Sequence, residues 1–227
     1  MFLWLAATST VLVVISGALY VLVVLTGEGD SPWSWLWGMF DVGRELNVPT
    51  WFGSMLWFLL ALAATAVGMH APRLRASWFT LAGIAALASV DEYATLHEQL
   101  YRVGSILTPF LPFDPFSYRW AVAGVAVALI AAILLVPLAL RLPLPILLGL
   151  VAAGVIFLSG AVVIETVGGF VEQRFEGQMT WHLKLLMHVE EWFEMVGVSL
   201  AIWSVLEMIR WTPTEAGVST EFRGYSR

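Results

Sequence analysis

Two short stretches put carboxylates and imidazoles inside otherwise apolar sequence: Ser89-Val-Asp-Glu-Tyr-Ala-Thr-Leu-His-Glu98 and His188-Val-Glu-Glu-Trp-Phe-Glu194. Their chemistry is that of metal ligands, proton carriers or buried ion pairs. Glu165 adds a further acid in the middle of an aliphatic run. An ionised side chain at mid-membrane costs roughly 2.5–3.5 kcal/mol on insertion scales, so acids and histidines placed there must meet one another, a cation or water.

At about 100° per residue, Asp91 and Glu98 share a helical face with Thr95 and Arg102, while Glu92 and His97 flank it on either side. Further along the chain His188 and Glu191 are i,i+3 partners, Glu191 and Glu194 are another such pair, and Glu190 and Glu194 are i,i+4. His188, Glu191 and Glu194 are therefore expected to meet loosely on one face, opposite Asp91, Glu98 and His97. Such sets on facing helices are how bundles hold di-iron or di-manganese, through paired Glu and Glu-x-x-His ligands. Here the order is reversed, His188-x-x-Glu191, so the match is one of donor chemistry and not of signature. Asp91, Glu98, His97, Glu191 and Glu194 are the expected ligands of iron, manganese or zinc, with His188 beside them and Glu92 and Glu165 as supporting ligands or proton carriers.

The same residues admit other readings. A salt-bridged or protonated network, with Arg102 on Glu98 and Lys184 near His188, would only hold helices together. A chain of acids and histidines is also how carriers relay protons. A bis-histidine haem would need His97 opposite His188 or His182, in surroundings of carboxylates that suit haem poorly. His70, beside Ala71-Pro72-Arg73, reads as an interfacial histidine.

The elements that must position these groups follow from composition. The chain has 227 residues, 59% hydrophobic and 12% charged, with a mean hydropathy of +0.83. Such a chain is an integral membrane protein. With no cysteine it has no disulfide, zinc–thiolate or iron–sulfur chemistry and no thiol nucleophile. A net charge of −6 supplies no basic stripe for nucleic acid. No Ser occupies a nucleophile elbow.

Segments long enough to cross about 30 Å of hydrocarbon lie near 3–26, 50–70, 77–105, 119–141, 144–168 and 181–209. The fold expected is all-α: one polytopic transmembrane bundle of about six helices over 1–211, followed by a solvated tail at 212–227. The first segment reads as a retained helix, lacking a basic leader. Short turns at Pro72 and at Arg141-Leu-Pro143 leave the longer connections 27–49, 106–118 and 169–180 on the opposite side. Six of the eleven Lys and Arg lie on the short-loop side, so both termini are expected in the cytoplasm of an inner-membrane protein. Counting along the helices then puts Asp91 to Glu98, Glu165 and His188 to Glu194 at one depth, in the outward half, under the loop carrying Asp41, Arg44 and Glu45. The segment Trp33-Ser-Trp-Leu-Trp-Gly-Met-Phe40 reads as a belt lying on the membrane surface.

Asn47-Val-Pro-Thr-Trp-Phe-Gly-Ser54, Val90-Asp-Glu-Tyr-Ala-Thr-Leu-His-Glu98, Gly160-Ala-Val-Val-Ile-Glu165 and Val189-Glu-Glu-Trp-Phe-Glu-Met-Val-Gly197 resemble the motifs of a group of bacterial multi-pass membrane proteins of unassigned function. The resemblance spans about 40–205. It implies that Asp91, Glu92, His97, Glu98, Glu165, Glu191 and Glu194 act together, and His188 lies outside its pattern. It names no reaction. The function expected from the residues is a membrane metal site for redox or hydrolytic chemistry on a lipid-phase substrate. The alternatives are a non-catalytic subunit packed against other integral subunits of a respiratory or photosynthetic type of complex, and a proton or cation transporter.

Overall fold

The computed structural model describes residues 1–27, 31–112, 119–214 and 217–225. Parts of the connections 27–49 and 106–118, and the end of the tail with Arg227, lie outside the described residues. The elements in order are α1 (Phe2–Thr26), α2 (Ser34–Phe40), α3 (Val48–His70), α4 (Arg75–Ala94), a 3₁₀ turn (His97–Leu100), α5 (Tyr101–Leu107), a second 3₁₀ turn (Thr108–Phe110), α6 (Trp120–Ala139), α7 (Leu144–Leu158), a π turn (Ser159–Ile164), α8 (Glu165–Arg174) and α9 (Trp181–Leu206). An antiparallel hairpin, β1 (Ile209–Thr214) and β2 (Gly217–Phe222), closes the series.

The all-helical bundle is as expected. On length and apolarity alone, however, four helices qualify as membrane crossings: Phe2–Thr26, Val48–His70, Trp120–Ala139 and the unbroken Leu144–Arg174. α4 and α9 fall outside that set because they carry the acids. By length they would still reach about 30 and 39 Å at 1.5 Å per residue.

α9 is the central post, with α7, α3, α1 and the π turn packed around it, and α4 lies along α3. Leu56, Leu60, Ala64 and Val67 of α3 meet Trp78, Ala82 and Ala85 of α4 and Val198, Ile202 and Val205 of α9 in the core. Without water to expel, helices in lipid hold together by close van der Waals contact, so small residues sit where axes approach. Gly197 shows this directly. A Cβ there would fall 2.8 Å from the Phe157 backbone nitrogen and 2.9 Å from the Ala153 carbonyl oxygen, closer than real Cβ contacts come.

Two expectations are corrected. The segment 77–105 is not one helix: α4 stops at Ala94, and Thr95 turns left-handed at φ 48° with its N–H donating to the Asp91 carbonyl. The tail is not merely a solvated end. Its strands are largely exposed, yet Tyr225 pins the hairpin to the bundle, accepting from Trp78 Nε1 at 3.0 Å and donating to the Arg73 carbonyl at 2.6 Å.

Candidate functional site

The break at Thr95 builds the first part of the site. Beyond it the chain doubles back far enough for Asp91 to receive the His97 backbone N–H on Oδ1 at 2.6 Å and to meet His97 Nδ1 with Oδ2 at 3.1 Å. A β-branched residue in the left-handed region costs about 1–2 kcal/mol. The two Asp91 contacts are what offset that strain. His97 Nε2 has no hydrogen-bond partner among the described residues. Its ring lies against Trp120, the first residue of α6, with centroids 4.5 Å apart. Trp120 Nε1 in turn donates to Glu165 Oε1 at 2.8 Å.

Glu165 follows directly on the π turn. Such a turn inserts one residue into an α-helix, which rotates everything after it by roughly 100°. The rotation turns Glu165 into the bundle, where it is 6% exposed. Across from it, Gly160 makes room for α9: a Cβ there would press on the Glu190 carbonyl oxygen at 2.8 Å and on Glu194 Cγ at 3.0 Å. On the far side Gly53 of α3 leaves space filled by the Glu92 carboxyl group, and next to it Ser54 donates to the Ser89 carbonyl at 2.8 Å.

These elements bring Glu92, Glu165, Glu190, Glu191 and Glu194 within electrostatic reach of one another. The other charges that act on this group are those of Glu45, Asp91, His97 and Glu98. Glu92, Glu190, Glu191 and Glu194 are half-buried and accept no hydrogen bond from the described residues. Glu45 stands on the connecting loop at the rim and is exposed, as is Glu98. Although Glu45 keeps an exposed surface, the chain packed around its carboxyl partly desolvates it and raises it above its ordinary pKa of 4.5, with His97 opposing the rise and Glu98 and Asp91 adding to it.

Of the expected site residues, Asp91, Glu92, His97, Glu98, Glu165, Glu191 and Glu194 therefore fall in one neighbourhood. They do not close into a cage. Among the described residues no three His, Asp or Glu side chains stand close enough to enclose a metal ion. The expected Arg102–Glu98 pair does not form among the described residues.

His188 is the clearest correction. It leaves the acids and faces α1, with Nε2 2.9 Å from Ser16 Oγ and Nδ1 2.7 Å from the Lys184 carbonyl oxygen. A carbonyl can only accept, so Nδ1 carries the proton and Nε2 accepts from Ser16, whose oxygen receives the Val42 N–H at 3.1 Å. Both ring nitrogens are engaged away from the acids. His182 lies elsewhere, stacked on Trp181 and Phe175.

Comparison with known proteins places the chain. A family model described as "Domain of unknown function (DUF8692)" matches residues 4–208. The chain belongs to this family. No curated protein and no solved structure matches it. The family match takes in the whole bundle and stops before the hairpin, so the acid site lies inside it and the strands outside.

Within that span the motifs acquire structural meaning. Asn47 caps α3 by accepting from the Thr50 N–H at 3.2 Å, and its own amide donates to the Asp41 carbonyl at 2.7 Å. Pro49 occupies the first turn, where its missing N–H costs nothing. Glu45, Glu190 and Trp120 were not among the expected site residues. The acids could have been found from their proximity to the motifs; Trp120 carries no local signal beyond being aromatic at the start of an aliphatic helix.

Proposed function

We propose that this family member is a six-span membrane protein, with α4 and α9 as the two acid-bearing spans, and that its acid and imidazole cluster works by binding cations, protons or a divalent metal, inside the bundle. The observation that supports this is a group of eight carboxyl groups and one imidazole gathered in one neighbourhood of the bundle, where the carboxyl groups act on one another. Uncompensated carboxylates are too costly to hold in a membrane bundle, so each must take a proton, share a cation or be wetted.

The acids do not converge on a point; they extend from Glu45 and Glu98 at the loop side to Glu194 within α9. A spread of titratable groups favours stepwise transfer of protons or cations over a single tight centre. One observation favours the metal: Asp91 holds His97 by Nδ1 and leaves Nε2 without a partner, the device by which carboxylates orient histidine ligands. A metal held there by His97 with Glu98 or Glu92 would polarise water or a lipid-phase substrate for hydrolytic or redox chemistry. Under either reading the site occupies the outward half and both termini are cytoplasmic.

The deciding experiment has two arms on one preparation. Metal content of the detergent-purified protein is read by plasma mass spectrometry, and proton or cation flux is read after reconstitution into liposomes. Flux abolished by Glu191→Gln with no stoichiometric metal establishes the relay. One or more equivalents of iron, manganese or zinc, lost in both Glu191→Ala and His97→Ala, establishes the metal centre. Neither flux nor metal would overturn the proposal and leave the cluster a structural network of a non-catalytic subunit.

A further inference from the structure

A second site lies on the other side of α9. A cavity of about 390 Å³ is lined by Tyr20 of α1, Trp37 of α2, Asp41, Gly43 and Arg44 of the loop, and Met179 and Lys184 at the start of α9. Its floor is the buried ion pair between Lys184 Nζ and Asp41 Oδ1, 2.5 Å apart, with side chains 5% and 1% exposed. Lys184 also lies 5.2 Å from the centre of the Trp37 ring.

The donors outnumber their acceptors. Trp37 Nε1 is buried and has no hydrogen-bond partner among the described residues. That atom is closed to solvent, so Trp37 lines the cavity with other parts of its ring. Lys184 has three N–H groups, of which one is committed to Asp41. Asp41 cancels the Lys184 charge, leaving the Arg44 guanidinium as the uncompensated charge of the lining. Gly43 leaves room for this arrangement: a Cβ there would sit 3.1 Å from Met187 Sδ and 3.2 Å from Lys184 Nζ.

From this geometry we infer a binding site for a phosphate group, held by Arg44 and Lys184 beside the ring of Trp37. A phosphate oxyanion offers acceptors only, which suits the Arg44 guanidinium and the uncommitted N–H groups of Lys184, and Arg is suited to grip it in forked fashion. The volume exceeds that of a bare anion, and the faces of Tyr20, Trp37 and Met179 give an apolar wall for whatever the phosphate carries. The position, beside the loop-side ends of α1 and α9 and the Trp-rich α2, is the level of lipid headgroups. Phosphate chemistry could come from a phospholipid headgroup or from free phosphate.

The test uses the full chain in detergent, with native mass spectrometry reading adducts of phosphatidylglycerol and calorimetry reading inorganic phosphate. A saturable one-to-one complex is expected, weakened about tenfold by Arg44→Gln and several-fold by Arg44→Lys, which keeps the charge but loses the fork. Arg44 is exposed, so its loss should leave the thermal midpoint unchanged. Glu191→Gln, in the acid cluster, should leave phosphate affinity unchanged, separating this site from that one. Lipid binding without phosphate binding assigns a headgroup site, and the reverse assigns a free-anion site. No saturable complex with either, or both variants binding like the wild type, would overturn the inference.

Discussion

At the residue scale the site depends on one acid in two roles. Asp91 stabilises the left-handed Thr95 by receiving the His97 N–H, and the same carboxylate orients the imidazole. Backbone strain held in place at a carboxylate–imidazole pair is common at functional positions. Glu45 is the residue whose titration is open to test. Its pKa is raised in the folded protein, so ionisation is harder there than in the unfolded chain. The stability it contributes is full below the ordinary value and is lost as pH rises from that value through the raised one. Thermal midpoints measured from about pH 4 to pH 7 should therefore fall less steeply in Glu45→Gln than in the wild type. Identical slopes would show that Glu45 is not hemmed in by the cluster.

At the element scale, glycines decide where acids can stand, and they do so with different severity. A methyl at residue 197 would meet the α7 backbone, which cannot give way without parting the helices. A methyl at residue 53 would meet the end of the flexible Glu92 side chain. Gly197→Ala should therefore destabilise by about 1–3 kcal/mol, the range of overpacked cores. Gly53→Ala should cost well under that while displacing the Glu92 carboxyl, so metal uptake or flux should fall with little change in the thermal midpoint. Equal loss of stability in the two variants would mean that Glu92 is locked and not mobile.

At the scale of the whole molecule, the bundle has a short-loop end closed by the hairpin and a long-loop end carrying the acids and the Arg44 cavity. The absence of cysteine makes sidedness measurable by single-cysteine labelling. In inverted and right-side-out vesicles, Thr220→Cys and Arg141→Cys should react with a membrane-impermeant maleimide from one side and Glu176→Cys from the other. Six crossings with cytoplasmic termini require that the first two be cytoplasmic. Labelling of Thr220→Cys from the same side as Glu176→Cys would mean that α9 does not cross, and labelling of Arg141→Cys from that side would mean that Leu144–Arg174 does not.

How much of this the chain announces in advance differs by residue. The membrane bundle and the shared depth of Glu92, Glu165, Glu191 and Glu194 follow from apolar run length and a fixed rise per residue, which are local properties. The partner of His188 is not local, because Ser16 lies 172 positions away and i,i+3 arithmetic says only which residues could share a face. His97 was misplaced on a continuous helix, since the left-handed turn at Thr95 exists only because Asp91 compensates it. The π turn likewise re-aims Glu165 without any change in composition. Periodicity set by backbone geometry is written in the sequence; the faces, breaks and hydrogen-bond partners are decided by packing between distant segments, where contacts of about 1 kcal/mol choose among locally equivalent conformations.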